Sequence, residues 1–254
     1  PAPSDTKSKN TQPDLFGGQL SLFEEKVTLS TPKSVTLQGN LFEEFTAEGQ
    51  GDEKKSILKS LKTINSDYQL IDTEEKRREL YEILITSEIL ALDTETTSTD
   101  PIDAELVGMS FSIKENQAFY VPVPPNYDEA QKIVKEFQPI FENEEILKVG
   151  QNMKYDLLVL DNYGVELRGP MFDTMIAHYV LQPELRHNMD YLAEIYLNYE
   201  TIRIEELIGA KGKNQGNMRD LPAEAVYQYA CEDADVTLKL KNILEKELET
   251  NGVS

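Results

Sequence analysis

The chain has 254 residues, 39% hydrophobic and 28% charged, which is typical of one globular domain or one domain with an extension. A single cysteine excludes an internal disulfide, no apolar run approaches membrane-spanning length, and the first residues given do not have the charged and apolar pattern of a signal peptide, so we expect a cytoplasmic protein. The formal net charge is −21, and residues 63–254 carry most of it (17 − 37 = −20), which argues against a tight non-specific grip on nucleic acid.

The first 65 residues differ in composition from the rest of the chain. They are rich in Ser, Thr, Lys, Gln and Gly, which predicts a flexible linker or extension. A Gln-x-x-Leu-Phe pattern occurs at 12–16, 19–23 and 38–42. Each copy could dock onto a neighbouring part of the same protein or place two apolar anchors in a partner's pocket. The copy formed by Gln19, Leu22 and Phe23 resembles the short peptide by which bacterial replication proteins hold the sliding clamp.

From residue 66 to residue 254 the apolar spacing predicts a folded α/β domain. Strands are predicted at 68–71, 89–92 and 146–149, with an antiparallel hairpin from 106–113 and 118–121. Helices are predicted at 76–85, 127–141, 153–163, 173–181, 189–197 and 221–248. In the last of these, Pro222 suits the first turn and Asp220 is a plausible cap. This order of elements favours a mixed sheet flanked by helices.

Two acidic residues, Asp93 and Glu95, come at the end of the strand predicted at 89–92. Because side chains alternate along an extended chain, both carboxylates face the same side of the sheet. They repel each other there and are costly to bury unless a cation joins them. The alternative is that Asp93 and Glu95 are solvated turn residues, which need no cation. The pair alone is therefore weak support for a metal site.

A second motif, Gly-Gln-Asn-Met-Lys-Tyr-Asp, occupies residues 150–156 at a predicted strand-to-helix junction. Gly150 would relieve the backbone there, while Gln151 and Asn152 offer amide groups to sugars, bases or helix ends. Asp156 falls in the first turn of the next helix. An Asp in that position commonly stabilises the helix dipole, and Asn152 can be an ordinary cap.

The last predicted helix carries Tyr229 and Asp233, whose spacing of four puts both side chains on one helical face. A phenol one turn from a metal-binding carboxylate can contact a water molecule at the metal. The alternative for Tyr229 is core packing with a satisfied hydroxyl. Glu232 and Asp235 point to other faces, so we expect them to be surface or supporting groups.

The three motifs supply four carboxylates, Asp93, Glu95, Asp156 and Asp233, and carboxylate oxygens are the ligands that Mg²⁺ prefers. Together the motifs closely resemble the 3′→5′ proofreading exonuclease domain of the bacterial DNA polymerase I family (Klenow-type), which is RNase H-like. The resemblance covers residues 66–254. It also includes three strings specific to that family, at 172–175, 186–192 and 211–215.

The resemblance implies that the four carboxylates bind two divalent ions, Mg²⁺ or Mn²⁺, and that Tyr229 orients the attacking water. It implies that single-stranded or frayed DNA 3′ ends contact Gln151, Asn152 and Tyr155. The best basic candidates for phosphate contacts are Arg186, Lys211 and Lys213. Family members commonly have Leu at the position of Thr99, where it forms an apolar wedge against the terminal base. Thr99 offers less surface, which affects the expected base selectivity but not hydrolysis.

Family members continue into a polymerase domain and often begin with a 5′ nuclease, so we interpret this chain as a piece of a larger protein. We expect a monomer, associated with the bacterial nucleoid, whose polymerase domain supplies the surface that binds duplex DNA. Three alternatives stay open: a structural spacer that has lost hydrolysis, an interaction module that recruits a partner through its N-terminal segments, and a standalone exoribonuclease. His178 and His187 lack the spacing of a zinc site, and Cys231 lacks an adjacent base, so we predict packing roles for them.

Overall fold

The computed structural model describes residues 58–253, so the extension up to residue 57, with Gln19, Leu22 and Phe23, lies outside the described residues. Within the described range the chain forms one mixed sheet of six strands, flanked by helices. The predicted α/β class is therefore confirmed. The strands are β1 (Asp67–Leu70), β2 (Ile89–Thr96), β3 (Leu106–Lys114), β4 (Gln117–Pro122), β5 (Leu147–Gly150) and β6 (Met171–Asp173).

Helices connect and cover these strands. The α-helices are α1 (Glu74–Leu84), α2 (Tyr127–Glu136), α3 (Gln138–Phe141), α4 (Lys154–Asp161), α5 (Thr174–Leu181), α6 (Met189–Leu192), α7 (Ile204–Ile208) and α8 (Ala223–Thr250). A π-helical turn, Ala193–Leu197, follows α6, and a 3₁₀ turn, Met218–Asp220, precedes α8. Within the part of the chain that the structure describes, none of the helices is both long and apolar enough to cross a membrane.

The strand order across the sheet is β1-β4-β3-β2-β5-β6. The hairpin β3–β4 is antiparallel, as predicted, and β2 is antiparallel to β3. On its other side β2 is parallel to β5, and β5 is parallel to β6. The strand that carries the first acidic pair thus lies inside the sheet, with partners on both sides.

The two faces of the sheet are covered by different helices. On one face α1 to α4 enclose the largest apolar cluster, which includes Leu84, Phe111 and Phe137. On the other face α8 packs across β1 to β5. There Cys231 is fully buried beside Val107 and Tyr120, in the packing role predicted for it. Because α8 crosses β2, residues of both elements can meet on this face.

Several boundaries differ from the prediction for identifiable reasons. The helix predicted at 127–141 breaks at Phe137. Pro139 has no N–H to donate to the carbonyl four residues earlier, so the helix cannot continue unbroken. The helix predicted at 189–197 is α-helical only to Leu192 and continues as the π turn. Asp220 is not the cap of α8: it ends the 3₁₀ turn, and Pro222 occupies the N-cap position.

Residues assigned to the extension contact the domain. The Lys59 N–H donates to the Asn198 carbonyl at 2.9 Å, and the Glu200 N–H donates to the Lys59 carbonyl at 2.7 Å. Ile64 packs against the cluster that contains Tyr199. The folded part of the chain therefore begins before residue 66.

Candidate metal and active site

Three carboxylates from two elements meet between the sheet and α8. Asp93 and Glu95 lie two positions apart on β2 and so share a face. Asp233 comes from α8, and one carboxylate oxygen of each residue lies within 4.8 Å of the other two. The strand continues through both acidic residues to Thr96 instead of ending at Asp93. Hydrogen bonds to the neighbouring strand therefore fix the backbone of the pair.

The fourth predicted ligand lies beside this group. Asp156 is in the first turn of α4 and is only 2% exposed. Its Oδ1 accepts a hydrogen bond of 2.6 Å from the hydroxyl of Thr94, the residue between the two acidic positions of β2. Asp156 is outside the group of three, but its charge raises the pKa of Asp93. Sequence reasoning missed Thr94, because alternation places it on the opposite side of the strand.

The electrostatics of the site are those of crowded, buried negative charge. Burial raises the pKa of Asp93 well above its ordinary value, and the charges of Asp156 and Asp233 raise it further. Burial, then Asp93 and Asp156, raise the pKa of Glu95 in the same way. Burial, followed by the charge of Glu95, raises the pKa of Asp233. Burial also raises the pKa of Asp156 to about 7, against the opposing effect of its hydrogen bond from Thr94.

The burial and charge of this carboxylate group suit a divalent cation. Glu95 is 6% exposed, and its Oε1 is buried without a hydrogen-bond partner among the described residues. A buried carboxylate oxygen without a partner is costly, and so are three adjacent carboxylates. A hard divalent cation between Asp93, Glu95 and Asp233 removes both costs. The donor set therefore fits the predicted metal.

Tyr229 lies one turn from Asp233 on α8, on the same side of the helix. Burial raises the pKa of its hydroxyl well above the ordinary value, and the charges of Asp233, Glu95 and Asp93 add to the shift. A hydrogen bond with Tyr229 opposes the rise in the pKa of Asp233. The phenol therefore keeps its proton and faces the carboxylate group.

Tyr120, which sequence reasoning missed, packs next to Glu95. Gly108 is the cross-strand partner of Glu95 on β3. A Cβ atom at Gly108 would lie 2.4 Å from three atoms at the end of the Tyr120 side chain, so only glycine leaves room for it. Tyr120 is 1% exposed, and burial and the charge of Glu95 raise its pKa. The ring closes the site on that side.

Of the two roles expected for the neighbours of Asp233 on α8, surface or supporting, the structure shows the supporting one. Glu232 is fully buried and accepts hydrogen bonds of 2.6 Å from the Tyr199 hydroxyl and from the Ile202 N–H. Asp235 is also fully buried. It accepts from the Tyr68 hydroxyl, the Asn116 N–H and the Lys239 ammonium, each at 2.7 Å. Both carboxylates are thus satisfied by the protein itself, and they anchor the helix that presents Asp233.

The loop between β5 and α4 is shaped by Asp173. Its two carboxylate oxygens accept from the Asn152 N–H at 3.1 Å and the Met153 N–H at 2.8 Å. Asn152 adopts a left-handed conformation with φ of 64°. Gly150 does not have a positive φ; it is needed because a Cβ there would lie 2.4 Å from Cγ of Met153. The glycine therefore serves a close approach rather than an unusual backbone angle.

The residues expected to hold a DNA end are themselves held by the protein. The Gln151 amide donates to the His187 carbonyl at 2.6 Å and accepts from the Thr174 hydroxyl. The Tyr155 hydroxyl donates to the Ser98 carbonyl in the loop after β2. Thr99, in that same loop, is exposed. These contacts place Gln151 and Tyr155 in fixed positions next to the ends of β5 and β2.

The basic candidates are all exposed and lie on two separate segments. Arg186 directly precedes His187, whose carbonyl is held by Gln151. Lys211 and Lys213 are in the segment between α7 and the 3₁₀ turn. The Asn217 side chain ties the end of that segment to the Thr97 carbonyl, just after β2, at 3.0 Å. The chain thus anchors both segments next to elements that carry the site.

Comparison with known proteins identifies the family. A sequence profile of the family described as 3′-5′ exonuclease matches residues 68–249. The chain belongs to this family. DNA polymerase I of Pseudomonas aeruginosa is 42% identical over 172 residues, which are 64% of this chain and 19% of that protein. DNA polymerase I of Borreliella burgdorferi is 33% identical over 245 residues, which are 91% of this chain and 26% of that protein. The resemblance to the exonuclease domain of DNA polymerase I is confirmed.

Two solved structures share the fold of this domain. NrnC of Brucella melitensis with bound Mg²⁺ has a TM-score of 0.57 and 20% identity, covering 75% of this chain and 85% of that one. RNase D of Escherichia coli, an exoribonuclease involved in structured RNA processing, has a TM-score of 0.57 and 22% identity. The match covers 73% of this chain and 46% of that one. The predicted RNase H-like fold of this 3′-5′ exonuclease is therefore confirmed.

Proposed function

We propose that this exonuclease domain hydrolyses the 3′-terminal phosphodiester of DNA and releases deoxynucleoside monophosphates, as a proofreading activity of a DNA polymerase I. The observation that supports it best is the group formed by Asp93, Glu95 and Asp233, with Asp156 beside it. These crowded carboxylates repel one another, and Oε1 of Glu95 is buried without a hydrogen-bond partner among the described residues, as expected of a site made for cations. The Mg²⁺ bound to NrnC, which shares the fold, supports the choice of Mg²⁺ or Mn²⁺.

The chain's own residues would act through position and charge. Asp93, Glu95 and Asp233 would hold a divalent ion, and Asp156 would complete the ligand set for two. Such ions supply a lowered pKa for the attacking water and neutralise charge on the phosphate. The Tyr229 hydroxyl, which keeps its proton, would orient that water by a hydrogen bond. Tyr120 closes the site against solvent behind Glu95.

The choice of DNA rests on the relatives in sequence. Both named relatives are DNA polymerases, and the chain spans only 19% and 26% of their length. The remaining polymerase would supply the duplex-binding surface, because this domain is strongly acidic. We therefore expect the isolated domain to bind single-stranded DNA weakly. Tight binding with a steep dependence on salt would contradict this expectation.

The decisive experiment follows shortening of a 5′-labelled single-stranded DNA in Mg²⁺ and identifies the released product. Wild-type protein should give a ladder of products and free monophosphates, and EDTA should stop the reaction. Asp156→Asn should abolish the ladder, whereas Asp161→Asn, an exposed position on the same helix, should leave it unchanged. A ladder that persists in EDTA or in the Asp156→Asn protein would refute the proposal.

RNA is the second substrate to test, because RNase D, which shares the fold, is an exoribonuclease. Matched DNA and RNA oligonucleotides of the same sequence would be compared by kcat/KM. A clear preference for RNA would replace the polymerase assignment by RNA processing. Equal rates would leave the hydrolytic mechanism intact and remove the proofreading specificity.

A further inference from the structure

Two histidines, for which the sequence predicted only packing, form a hydrogen-bonded pair beside the site. His178 is in the second turn of α5 and is fully buried, and His187 lies between α5 and α6. Their Nδ1 atoms are 2.6 Å apart, and their ring centroids are 4.8 Å apart. Two ring nitrogens at this distance need one proton between them, so one ring donates and the other accepts.

Burial decides which ring donates. Nε2 of His178 is buried without a hydrogen-bond partner among the described residues. A buried N–H without an acceptor is rarer in native proteins than an unused acceptor. This favours the tautomer in which the N–H of His178 is at Nδ1 and donates a hydrogen bond to Nδ1 of His187. The proton of the half-buried His187 ring is then on its Nε2 atom.

The pair is part of a clamp around Gln151. Thr174 and His178 are four residues apart, so they lie on the same side of α5. The Thr174 hydroxyl donates to the Gln151 side-chain oxygen. The Gln151 amide donates to the His187 carbonyl at 2.6 Å, and His178 holds the ring of that same residue. Helix α5 thus holds the side-chain oxygen of Gln151 directly, through Thr174, and the side-chain nitrogen of Gln151 indirectly, through His187.

The same contacts hold the segment that carries Arg186, an exposed cation in an acidic domain. We propose that His178 is a positioning residue that acts through His187 to place Gln151 and Arg186 for the DNA strand. This inference rests on the proposed function. It gives the His178 side chain a role in substrate binding rather than in the chemical step, because neither ring makes a hydrogen bond to a carboxylate of the site.

The alternative is that His178 only fills space. Its ring also packs edge-on against Tyr196, with centroids 5.6 Å apart, and against Tyr191 at 6.5 Å. A ring that only fills space can be replaced by an apolar side chain of similar size without effect on substrate binding. A ring that donates a hydrogen bond cannot be replaced by an apolar side chain without weakening substrate binding. It can be replaced by a side chain that has an N–H in the position of Nδ1.

The test measures kcat and KM on a single-stranded DNA for His178→Leu and His178→Asn. Loss of one positioning hydrogen bond should raise KM about tenfold in the Leu variant and leave kcat within about twofold. Asn, whose amide N–H lies close to the position of Nδ1, should restore most of the affinity. Tyr196→Phe, which keeps the ring packed on His178, serves as the matched control and should behave as wild type.

A double-mutant cycle identifies the residue through which His178 acts. In a Gln151→Ala background, His178→Leu should raise KM by less than it does in the wild-type protein, because the contact of Gln151 to the DNA is already lost and only the placement of Arg186 is still affected. Unchanged KM in a folded His178→Leu protein, or a loss of kcat alone, would overturn the proposal. So would fully additive effects of the two changes. If His178→Leu does not fold, His187→Phe breaks the same hydrogen bond at a half-buried position and has the same expected effect.

A readout independent of catalysis separates this inference from the proposed function. In ¹⁵N NMR of the metal-free wild-type protein, Nδ1 of His178 should be protonated and Nδ1 of His187 unprotonated. If the protein fails to hydrolyse DNA but shows this pattern, the proposed function fails and the pair stands as a structural clamp. If both rings protonate the same nitrogen, the hydrogen bond is absent and the clamp is refuted.

Discussion

Two sets of buried carboxylates on and around α8 differ in how the protein compensates their charge. Glu232 and Asp235 are fully buried, and each accepts hydrogen bonds from groups on other segments. Between them in sequence, Asp233 faces Asp93 and Glu95, and Glu95 has a buried oxygen without a partner among the described residues. The first set is complete within the protein, whereas the second needs a ligand. Burial alone is therefore common to both sets, whereas crowding of like charges around an oxygen without a protein partner occurs only in the second.

The largest effect should come from removing a carboxylate of the second set. Asp93→Ala should lower kcat by about a thousandfold or more, because the cation loses a ligand. The free energy of unfolding without metal should not fall, because the change also relieves repulsion among buried charges. Exonuclease assays in Mg²⁺ and urea denaturation in EDTA measure the two quantities. If the Asp93→Ala protein were inactive because it is unfolded, the proposed difference between the two carboxylate sets would be contradicted.

The unfavourable ionisation of the buried carboxylates in the second set should also appear in how the free energy of unfolding of the metal-free protein depends on pH. Burial raises the pKa of Asp156 from 3.8 to about 7, so the folded state binds this proton more tightly than the unfolded state. The free energy of unfolding should therefore fall as the pH rises from about 4 to about 7, by up to about 4 kcal/mol from this group. Asp156→Asn should remove that part of the pH dependence in EDTA. A stability of the wild-type protein that rises over this range would contradict the sign.

Removing a carboxylate of the first set should have the opposite consequence. Glu232→Ala leaves the Tyr199 hydroxyl and the Ile202 N–H without their acceptor, which should cost about 3 kcal/mol of stability. Glu224→Ala, at an exposed position of the same helix, is the matched control and should change stability by less than about 0.5 kcal/mol. Urea denaturation measures both. Equal effects of the two changes would remove the distinction between the sets.

The sequence predicted the grouping of the second set better than the partners of the first. Period-two alternation identified Asp93 and Glu95 as neighbours, and helical spacing put Tyr229 beside Asp233. The motifs also led to the family, and the order of the predicted elements led to the fold class. The partners of Glu232 could not be predicted, because Tyr199 follows a π turn whose geometry no periodicity indicates. Short elements such as β6 and α7 were missed for a related reason, since their length hides any pattern.

The His178–His187 pair shows the same limit of local rules. The two residues are nine positions apart and separated by a loop, so neither strand nor helix spacing relates them. The sequence analysis found no zinc-site spacing for these histidines and therefore predicted packing roles for them. Only the positions of the ring nitrogens bring the two histidines into one hydrogen-bonded pair.

The smallest predicted effect concerns the contact between the two faces of β2. Thr94 lies between Asp93 and Glu95 but points to the opposite face, where its hydroxyl donates to Asp156 at 2.6 Å. Thr94→Val keeps the shape of the side chain and removes this donor, which should cost about 1 kcal/mol of interaction with the ionised carboxylate. The pKa of Asp156 should rise, since the hydrogen bond lowers it, and the Mg²⁺ concentration for half-maximal activity should increase about fivefold.

The matched control is Thr86→Val, on an exposed loop, whose metal titration should match that of the wild-type protein. An unchanged Mg²⁺ requirement in the Thr94→Val protein would mean that Asp156 is placed by α4 alone, and that the hydrogen bond across the strand has no part in assembling the site.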